Sequence, residues 1–247
     1  MEKKRADIVL CEKGLAESRT RARALIKNGS AFVDGRAIEK PSELLDGDSV
    51  FTLSEDAMEY VSRAALKLET ALDSFGVSPK GLTVADIGAS TGGFTQCLLN
   101  HGAEKVFAVD VGKDQLHHTL RSNPSVVSME GVNARELTAE SFPCKIDMAV
   151  MDVSFISQTL IYPALASILE KGAYLIALVK PQFEVGKENV GKKGVVKDKK
   201  GALIEMVTLK IQYAAEDNGF ELLQVIDSPI KGGTGNKEYL ALLRKTV

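Results

Sequence analysis

Four charged residues lie beside apolar segments of this 247-residue chain, and their types could move a proton. Asp152 follows the run KIDMAVM, Lys180 follows AYLIALV, and Glu238 lies at the start of KEYLALL. Lys67 lies in SRAALKLETAL, which has the apolar spacing of an amphipathic helix. Burial and a second nearby cation lower the pKa of a lysine towards the range of a general base, whereas adjacent carboxylates raise it, and the sequence leaves open which effect is larger. Taken singly, each residue could instead be an exposed charge at the end of an element.

The elements that must position these residues alternate between strands and helices from about residue 61 onward. The strand candidates are apolar runs at 82–88, 105–111, 125–129, 145–153, 173–179, 220–227 and 237–243. The first of these runs are continuously apolar, which is typical of a parallel sheet covered on both faces. The last two runs are joined without a helix, so one of them should be antiparallel. The pattern predicts an α/β fold with a mostly parallel, seven-stranded sheet.

This topology predicts that three of the charged residues converge. The carboxyl ends of parallel strands line one crevice of such a sheet. Asp152 and Lys180 each follow a strand of this kind, and an antiparallel last strand would begin with Glu238 at the same edge. Their joint placement favours a catalytic site over three unrelated charges.

A glycine-rich turn joins the first strand of the sheet to a helix. The strand LTVADIG runs into ASTGGFTQCLL, so that Gly88 is followed by Gly92 and Gly93. This spacing differs from the dinucleotide motif GxGxxG, and no GK[ST] follows to make a phosphate-binding loop. Asp86 precedes the turn and Asp110 ends the next strand, where a carboxylate can hold a ribose diol. The combination indicates a nucleoside-type cofactor, although a simple tight connection is the alternative.

The overall composition excludes several classes of protein. The chain is 45% hydrophobic and 26% charged, as in a globular protein, and its net charge of −2 is no global signature of nucleic-acid binding. The three cysteines are far apart and the three histidines lack metal-site spacing, so free thiols and no metal are expected. No apolar run approaches the ~18 residues of a membrane span, and no signal peptide is evident. A soluble, cytoplasmic protein is expected.

The first 60 residues follow a different pattern, that of a small α+β domain. Two helical segments, ADIVLCEKGL and ESRTRARALIKNGS, precede the hairpin AFVDGRAI, whose turn is Asp34-Gly35. The stretch LLDGDSVFTL is predicted to be a further strand entered through a tight turn. The polar residues 54–60 are predicted to be a linker, which gives domains at 1–60 and 61–247.

The second helical segment carries a group of basic residues. Arg19, Arg23 and Lys27 are four residues apart and should share one helix face. Arg21 lies in the same segment and Arg36 lies in the hairpin turn. Such a stripe suits the phosphates of RNA, which carry most of the affinity for nucleic acids. A solvated helix face is the alternative.

The segment VGKENVGKKGVVKDKKG, residues 185–201, is rich in glycine and lysine. It begins shortly after Lys180, at the carboxyl end of a strand, which is where a lid facing the substrate would begin. A solvated, mobile loop is equally compatible with this composition, so the sequence leaves both interpretations open.

Several motifs, in order, resemble those of the TlyA family within the FtsJ-like S-adenosylmethionine-dependent RNA 2′-O-methyltransferases. They are ADIGASTGGFT, VFAVDVG, GVNAREL, DVSFIS and LVKPQFEVG. The first 60 residues resemble the small alpha-L type RNA-binding domain. The resemblance covers nearly the whole chain and implies a Rossmann-like methyltransferase fold that binds S-adenosylmethionine. With the acids of the glycine-rich turn, the implied cofactor residues are Asp86, Gly88, Ser90, Gly93, Phe94, Asp110, Asn133, Ala134 and Asp152.

The resemblance also implies a catalytic set of Lys67, Asp152, Lys180 and Glu238. In this set Lys180 would be the general base, or the residue that steers a ribose 2′-hydroxyl. The substrate would be ribosomal RNA or a ribosomal subunit, at a cytidine of 16S and/or 23S rRNA. One departure is SRAALKL, where relatives usually have SRGG-x-KL, and this predicts a stiffer junction before Lys67.

Three other functions are compatible with parts of the sequence. The chain could be an RNA-binding protein whose methyltransferase fold lacks turnover, although the presence of Lys180, Asp152 and Glu238 argues against this. It could be a haemolysin-type membrane-active protein, but it has no long, basic amphipathic helix. A nicotinamide dehydrogenase is disfavoured by the glycine spacing.

Overall fold

The chain folds into two compact units, residues 1–63 and residues 64–247. The computed structural model describes residues 3–16, 18–27, 29–54, 60–192, 194–197, 202–233 and 235–247. Residues 55–59 of the predicted linker lie outside the described residues. The same holds for residue 193 and residues 198–201 of the Gly/Lys-rich segment.

The first unit combines two helices with short antiparallel strands. Its elements are β1 (Lys3–Arg5), α1 (Ala6–Glu12), α2 (Arg19–Lys27), β2 (Ala31–Val33), β3 (Arg36–Ala37), β4 (Leu44–Asp46) and β5 (Phe51–Leu53). The strands form a sheet in the order β3-β2-β5 and a separate pair, β1-β4. The predicted hairpin is confirmed, since Asp34 and Gly35 make its turn with φ of 48° and 81°.

The segment 44–53 contains two strands and not one. β4 pairs with β1, a strand that the sequence patterns did not reveal, whereas β5 pairs with β2. A turn separates them, in which the Ser49 amide donates to the Asp46 carbonyl at 3.2 Å. Leu45 and Phe51 both point into the core that α1 and α2 cover, so the turn lets two short strands bury one apolar side chain each.

The second unit is built on a seven-stranded sheet with the order β11-β12-β10-β9-β6-β7-β8. Its strands are β6 (Thr83–Ile87), β7 (Lys105–Asp110), β8 (Val126–Glu130), β9 (Ile146–Met151), β10 (Leu169–Val179), β11 (Phe220–Asp227) and β12 (Tyr239–Lys245). β6 to β10 run parallel to one another, and β12 is antiparallel to both of its neighbours, β10 and β11. The mostly parallel sheet with an antiparallel last strand is therefore confirmed.

Helices connect most of these strands and cover the sheet. They are α3 (Ala64–Phe75), α4 (Gly93–Asn100), α5 (His118–Arg121), α6 (Tyr162–Ile168), α7 (Pro181–Glu184) and α8 (Ala202–Asp217). The central strands are buried almost throughout, as their continuous apolar sequences require. Phe107, Met151, Tyr162 and Phe220 are among the largest fully buried side chains. This core holds in place the ends of β9, β10 and β12, next to which Asp152, Lys180 and Glu238 lie.

Candidate active site

The strand register brings the predicted catalytic residues to one edge of the sheet. Val179 at the end of β10 pairs with Tyr239 at the start of β12, so Lys180 and Glu238 both leave the sheet at that edge. Met151 ends β9 beside Ala177 of β10, which places Asp152 at the same edge. The convergence expected from the antiparallel last strand is therefore present.

Lys180 forms the first of two ion pairs at this edge. Its Nζ lies 2.5 Å from Oδ1 of Asp152 and donates to Oγ of Ser154 at 2.8 Å. Both charged side chains are largely buried, with exposed fractions of 11% for Lys180 and 17% for Asp152. The short helix α7 begins with Pro181, directly after Lys180, so the chain turns away from the sheet at this lysine.

Lys67 and Glu238 form the second ion pair. Nζ of Lys67, a buried residue of α3, donates to Oε2 of Glu238 at 2.6 Å. The exposed fractions of the two side chains are 10% and 4%, so water screens this pair very little. Gly232 packs against the glutamate so closely that a Cβ there would lie 2.2 Å from Oε1 of Glu238. A glycine is therefore needed at position 232 if Glu238 keeps this position.

One cavity of about 360 Å³ joins the two ion pairs. Its lining includes both lysines and one of the acids, together with aromatic, amide and glycine residues. The lining residues are Lys67, Ser154, Phe155, Lys180, Gln182, Phe183, Val190, Gly194, Gly233 and Glu238. The volume lies in the lower part of the range for small-molecule pockets.

The glycine-rich turn lies directly beside Asp152. The Asp152 amide donates to the carbonyl of Ile87 at 2.9 Å, and a Cβ at Gly88 would lie 2.6 Å from the Asp152 carbonyl oxygen. Gly88 also has φ of +83°, so both space and backbone conformation demand glycine. Ser90 follows with φ of 48° and its hydroxyl is directed towards Gln115 at 3.3 Å.

Asp110 organises the backbone around this turn. Its Oδ2 accepts a hydrogen bond from the Ser90 amide at 2.8 Å, and its Oδ1 accepts one from the Gly112 amide at 2.7 Å. Each carboxylate oxygen keeps a further lone pair that could accept from a hydroxyl. Asp110 is thus held in place by two backbone donors at the carboxyl end of β7, as a ribose-binding acid would need to be.

Asn133 and Ala134 follow β8 at the same edge. Oδ1 of Asn133 accepts from the Arg135 amide at 3.2 Å, and its Nδ2 donates to Glu136 at 2.8 Å, so Asn133 caps a short 3₁₀ turn. The Val132 amide donates to the Asp110 carbonyl at 3.0 Å, which ties this turn to β7. The structure therefore brings these two residues to the side of the sheet that carries Asp110.

The remaining cofactor candidates lie beneath the turn. Gly93 and Phe94 begin α4 and are buried, and Phe94 is only 3% exposed, which makes it a core residue. Asp86 is fully buried and accepts a hydrogen bond from Oγ1 of Thr95 at 2.6 Å. These three residues support the turn from below, and a direct contact of any of them with a cofactor stays a prediction.

Burial raises the pKa of Asp86 to about 7, against the hydrogen bond from Thr95, while the nearby Asp152 and Asp110 raise it further. Because this pKa exceeds the unfolded value of about 3.9, the group favours folding below about pH 4, and this contribution is lost as the pH rises towards 7. We expect Asp86→Asn to remove the effect. Relative to wild type, its free energy of unfolding should rise by up to about 1.4 kcal/mol per pH unit between pH 4 and 7. Urea titrations at several pH values between 4 and 7 would measure the free energy of unfolding of both proteins. If it changed equally with pH in both, this expectation would be contradicted.

Three residues of the site carry roles that the sequence interpretation did not assign. Ser154 holds Lys180, as described above. Phe155 is 92% exposed, has φ of 65°, and lies 5.3 Å from the Phe183 ring between centroids. Ser154 and Phe155 both lie in the motif DVSFIS, but no sequence rule distinguishes a strained, exposed phenylalanine from a buried one.

Glu184 is the third unassigned residue. Its buried carboxylate accepts from Oγ of Ser157 at 2.5 Å, from the Gln158 amide at 2.9 Å and from Nζ of Lys210 at 2.8 Å. These bonds join α7, α8 and the segment after β9 that carries Phe155. Glu184 therefore holds together two parts of the cavity wall beside Lys180, the segment with Phe155 and the helix α7 with Phe183.

The predicted RNA-binding arginines of the first unit surround a buried acid. Asp7 is fully buried and accepts from Arg5 at 2.9 Å, from Arg23 at 2.9 Å and from Arg19 at 3.3 Å. The Arg5 guanidinium, helped by Arg23 and Arg19 and opposed by burial, holds the pKa of Asp7 well below its usual range. Arg19 and Arg23 share a helix face as expected, and about half of each side chain stays exposed.

The other basic candidates in this unit are not part of that cluster. Arg21 donates to the backbone carbonyl of Tyr60 at 3.2 Å, and Arg36 pairs with Glu43 at 2.5 Å. Lys27 is exposed at the end of α2. The structure therefore groups Arg19 and Arg23 and separates Arg21 and Arg36 from them.

The strand order, with β12 antiparallel between β10 and β11, is that of the Rossmann-like methyltransferase fold, which solved S-adenosylmethionine-dependent methyltransferases share at 13–18% identity. Within this class, residues 60–245 match the FtsJ-like methyltransferases, and residues 4–51 match the S4 domain. The chain belongs to the FtsJ-like methyltransferase family and, within it, to the TlyA group.

Individual relatives cover nearly the whole chain. The 16S/23S rRNA (cytidine-2'-O)-methyltransferase TlyA of Mycobacterium tuberculosis is 42% identical over 97% of this chain and 89% of its own length. Hemolysin A of Brachyspira hyodysenteriae is 41% identical over 96% of this chain and 98% of its own length. A solved structure of a candidate hemolysin from Streptococcus thermophilus is 42% identical, has a TM-score of 0.79, and covers 100% of this chain and 90% of that one. Along the described parts of the present chain, no helix has the length and apolar character needed to cross a membrane.

Proposed function

We propose that this protein transfers a methyl group from S-adenosylmethionine to the 2′-hydroxyl of a cytidine in ribosomal RNA. The observation that carries the proposal is the pair of buried ion pairs, Lys180 with Asp152 and Lys67 with Glu238, on one cavity. Asp152 also adjoins the glycine-rich turn, so its ion pair with Lys180 connects that turn to a residue of the cavity wall. The named activity of the Mycobacterium tuberculosis relative supports the same chemistry.

The residues of this chain fit the cofactor in a definite arrangement. S-adenosylmethionine supplies a methyl group activated by the adjoining sulfonium. The carboxylate of Asp110 would hold its ribose hydroxyls, and Gly88 and Ser90 would line its approach with backbone atoms. Asn133 and Ala134 would lie beside the adenine. The free lone pairs of Asp110 and the left-handed backbone of the turn support this fit.

In its neutral form, the Lys180 amine would take the proton of the 2′-hydroxyl as the oxygen attacks the methyl carbon. The cofactor would supply the methyl group and keep the electrons of its carbon–sulfur bond, so the hydroxyl proton is the only group that Lys180 would have to accept. Asp152, 2.5 Å away, would then hold the lysine in its charged form, and Ser154 would keep Nζ aimed at the hydroxyl. Lys67 and Glu238 would close the other side of the cavity and position the ribose.

Two features support an RNA substrate. The exposed Phe155 and its neighbour Phe183 present aromatic faces at the cavity, on which an unstacked base could lie. The S4 domain match and the half-exposed Arg19 and Arg23 supply a surface for phosphates. A ribosomal substrate would place the protein with ribosomes, in the cytoplasm.

Replacing both Arg19 and Arg23 by glutamine should weaken RNA binding about tenfold or more and reduce the slope of log K against log[salt] by about 2. Asp7 would keep its two hydrogen bonds from Arg5, so the unit should stay folded. Filter binding to ribosomal RNA at several salt concentrations measures both effects. Arg244→Gln, in β12 and paired with Glu221, is the control. An unchanged affinity and slope in the double variant would contradict the phosphate role.

The proposed function is tested first by ligand choice. In calorimetric titrations the protein should bind S-adenosylmethionine and not NAD, and Asp110→Asn should weaken that binding at least tenfold. Binding of NAD alone would contradict the proposal. The main alternative is an RNA-binding protein without turnover. Such a protein would bind ribosomal RNA but would transfer no labelled methyl group to it, so a labelling assay distinguishes the two functions.

A further inference from the structure

The Gly/Lys-rich segment after α7 folds back on itself beside the active-site cavity. In its described residues, 186–192 and 194–197, Val190 and Val196 form an antiparallel bridge. The Gly191 amide donates to the Val195 carbonyl at 2.8 Å, and the Lys197 amide donates to Asn189 at 2.9 Å. We call these described residues the flap. Val190 and Gly194 of the flap line the cavity, so the flap forms part of its wall.

A single buried carboxamide connects this flap to the chain before β12. Asn236 is 3% exposed. Its Oδ1 accepts from the Val196 amide at 2.9 Å, and its Nδ2 donates to the Gly194 carbonyl at 2.8 Å. The backbone carbonyl of Asn236 also accepts from the Gly232 amide at 3.0 Å. Asn236 thereby forms hydrogen bonds with backbone groups of the flap and with Gly232, which closes a turn before β12.

The turn that Asn236 closes also determines where Glu238 can lie. Gly232 packs against Oε1 of Glu238, and Gly233 lines the cavity. Glu238 is two residues beyond Asn236 and binds Lys67. A displacement of the turn would therefore move both the flap and one of the two ion pairs.

We propose that Asn236 is a positioning residue that holds the flap over the catalytic cavity in register with Glu238. The proposal rests on the proposed methyl transfer for its activity readout. An amide side chain is needed because the flap presents one donor and one acceptor, and asparagine offers one of each in a rigid arrangement. Aspartate could accept from Val196 but could not donate to Gly194. Alanine would leave both backbone groups without this partner.

The test compares Asn236→Ala and Asn236→Asp with Asn189→Ala in the full-length protein. Asn189 is a flap residue of the same type, but its side chain is directed to the exposed Glu188 at 3.4 Å. We expect Asn236→Ala to speed hydrogen exchange of the Val196 amide at least tenfold and to lower kcat/KM for RNA about tenfold. The Kd for S-adenosylmethionine should stay within twofold of wild type, and amides of β12 should keep their protection. Asn236→Asp should keep part of the Val196 protection, and Asn189→Ala should resemble wild type.

Two results would overturn the proposal. In the first, Val196 exchange in Asn236→Ala equals that of wild type, so the carboxamide does not hold the flap. In the second, exchange accelerates but kcat/KM for RNA is unchanged, so the held flap has no part in the reaction. A wild-type protein that transfers no methyl group would contradict the proposed function alone, and Val196 exchange would still decide whether Asn236 holds the flap.

Discussion

Lys180→Met should lower kcat for methyl transfer about 10³-fold, with the Kd for S-adenosylmethionine within twofold of wild type. The physical reason is that the 2′-hydroxyl would lose the proton acceptor that we propose for it, and general base catalysis contributes about 10²–10⁴-fold. The cofactor residues around Asp110 do not contact Lys180 through any of the hydrogen bonds described above, so cofactor binding should persist. Single-turnover kinetics with labelled S-adenosylmethionine and calorimetry measure the two quantities.

Lys180→Arg separates proton transfer from charge. An arginine keeps the positive charge that faces Asp152, but it holds its proton too tightly to act as a base. We therefore expect the arginine variant to be nearly as inactive as the methionine variant. Lys145→Met, in an exposed ion pair with Glu170 near the start of β9, controls for loss of a lysine and should stay active. Near wild-type activity of Lys180→Met or Lys180→Arg would remove the base role from Lys180.

The second large effect concerns stability. Lys67→Met should lower the free energy of unfolding by about 3–5 kcal/mol, because it leaves the Glu238 carboxylate buried without its partner. The double variant Lys67→Met/Glu238→Leu should recover most of this loss, since it removes the unpaired charge as well. Methyl transfer should remain low in both variants, because both lack Lys67, one of the two groups that we propose to position the ribose.

Urea denaturation followed by circular dichroism measures this comparison, and the chain's lack of tryptophan makes fluorescence less suitable. Lys237→Met is the control, since its ion pair with Asp227 is mostly exposed and should contribute at most about 1 kcal/mol. If Lys67→Met were as stable as wild type, or if the double variant were as unstable as the single one, the buried pair would not have the energetics described here.

The arrangement of strands was predictable because the sheet leaves a simple signature in the sequence. Continuous apolar runs mark strands buried on both faces, and the helix-free connection between the last two strands indicated an antiparallel partner. From this topology alone, Asp152, Lys180 and Glu238 were expected at one edge, where the structure places them. Lys67 came from the resemblance, since a lysine on a preceding helix carries no topological signal.

The contacts that complete the site could not be predicted in the same way. Phe94 and Asp86 are near the glycine-rich turn in sequence, but both side chains are buried. Asp7 was not expected to gather arginines, because its burial depends on how β1 and β4 pair. Asn236 bonds to residues about 40 positions away, and such pairings follow from the tertiary fold and not from local periodicity.

The most direct test of the central claim identifies the methylated atom. Ribosomal subunits that lack the modification would be incubated with the full-length protein and methyl-labelled S-adenosylmethionine, and the digested nucleosides would be separated and analysed by mass spectrometry. The label should appear in 2′-O-methylcytidine, at a rate that Lys180→Met lowers about 10³-fold. Label on a base, or equal labelling by wild type and Lys180→Met, would contradict the account.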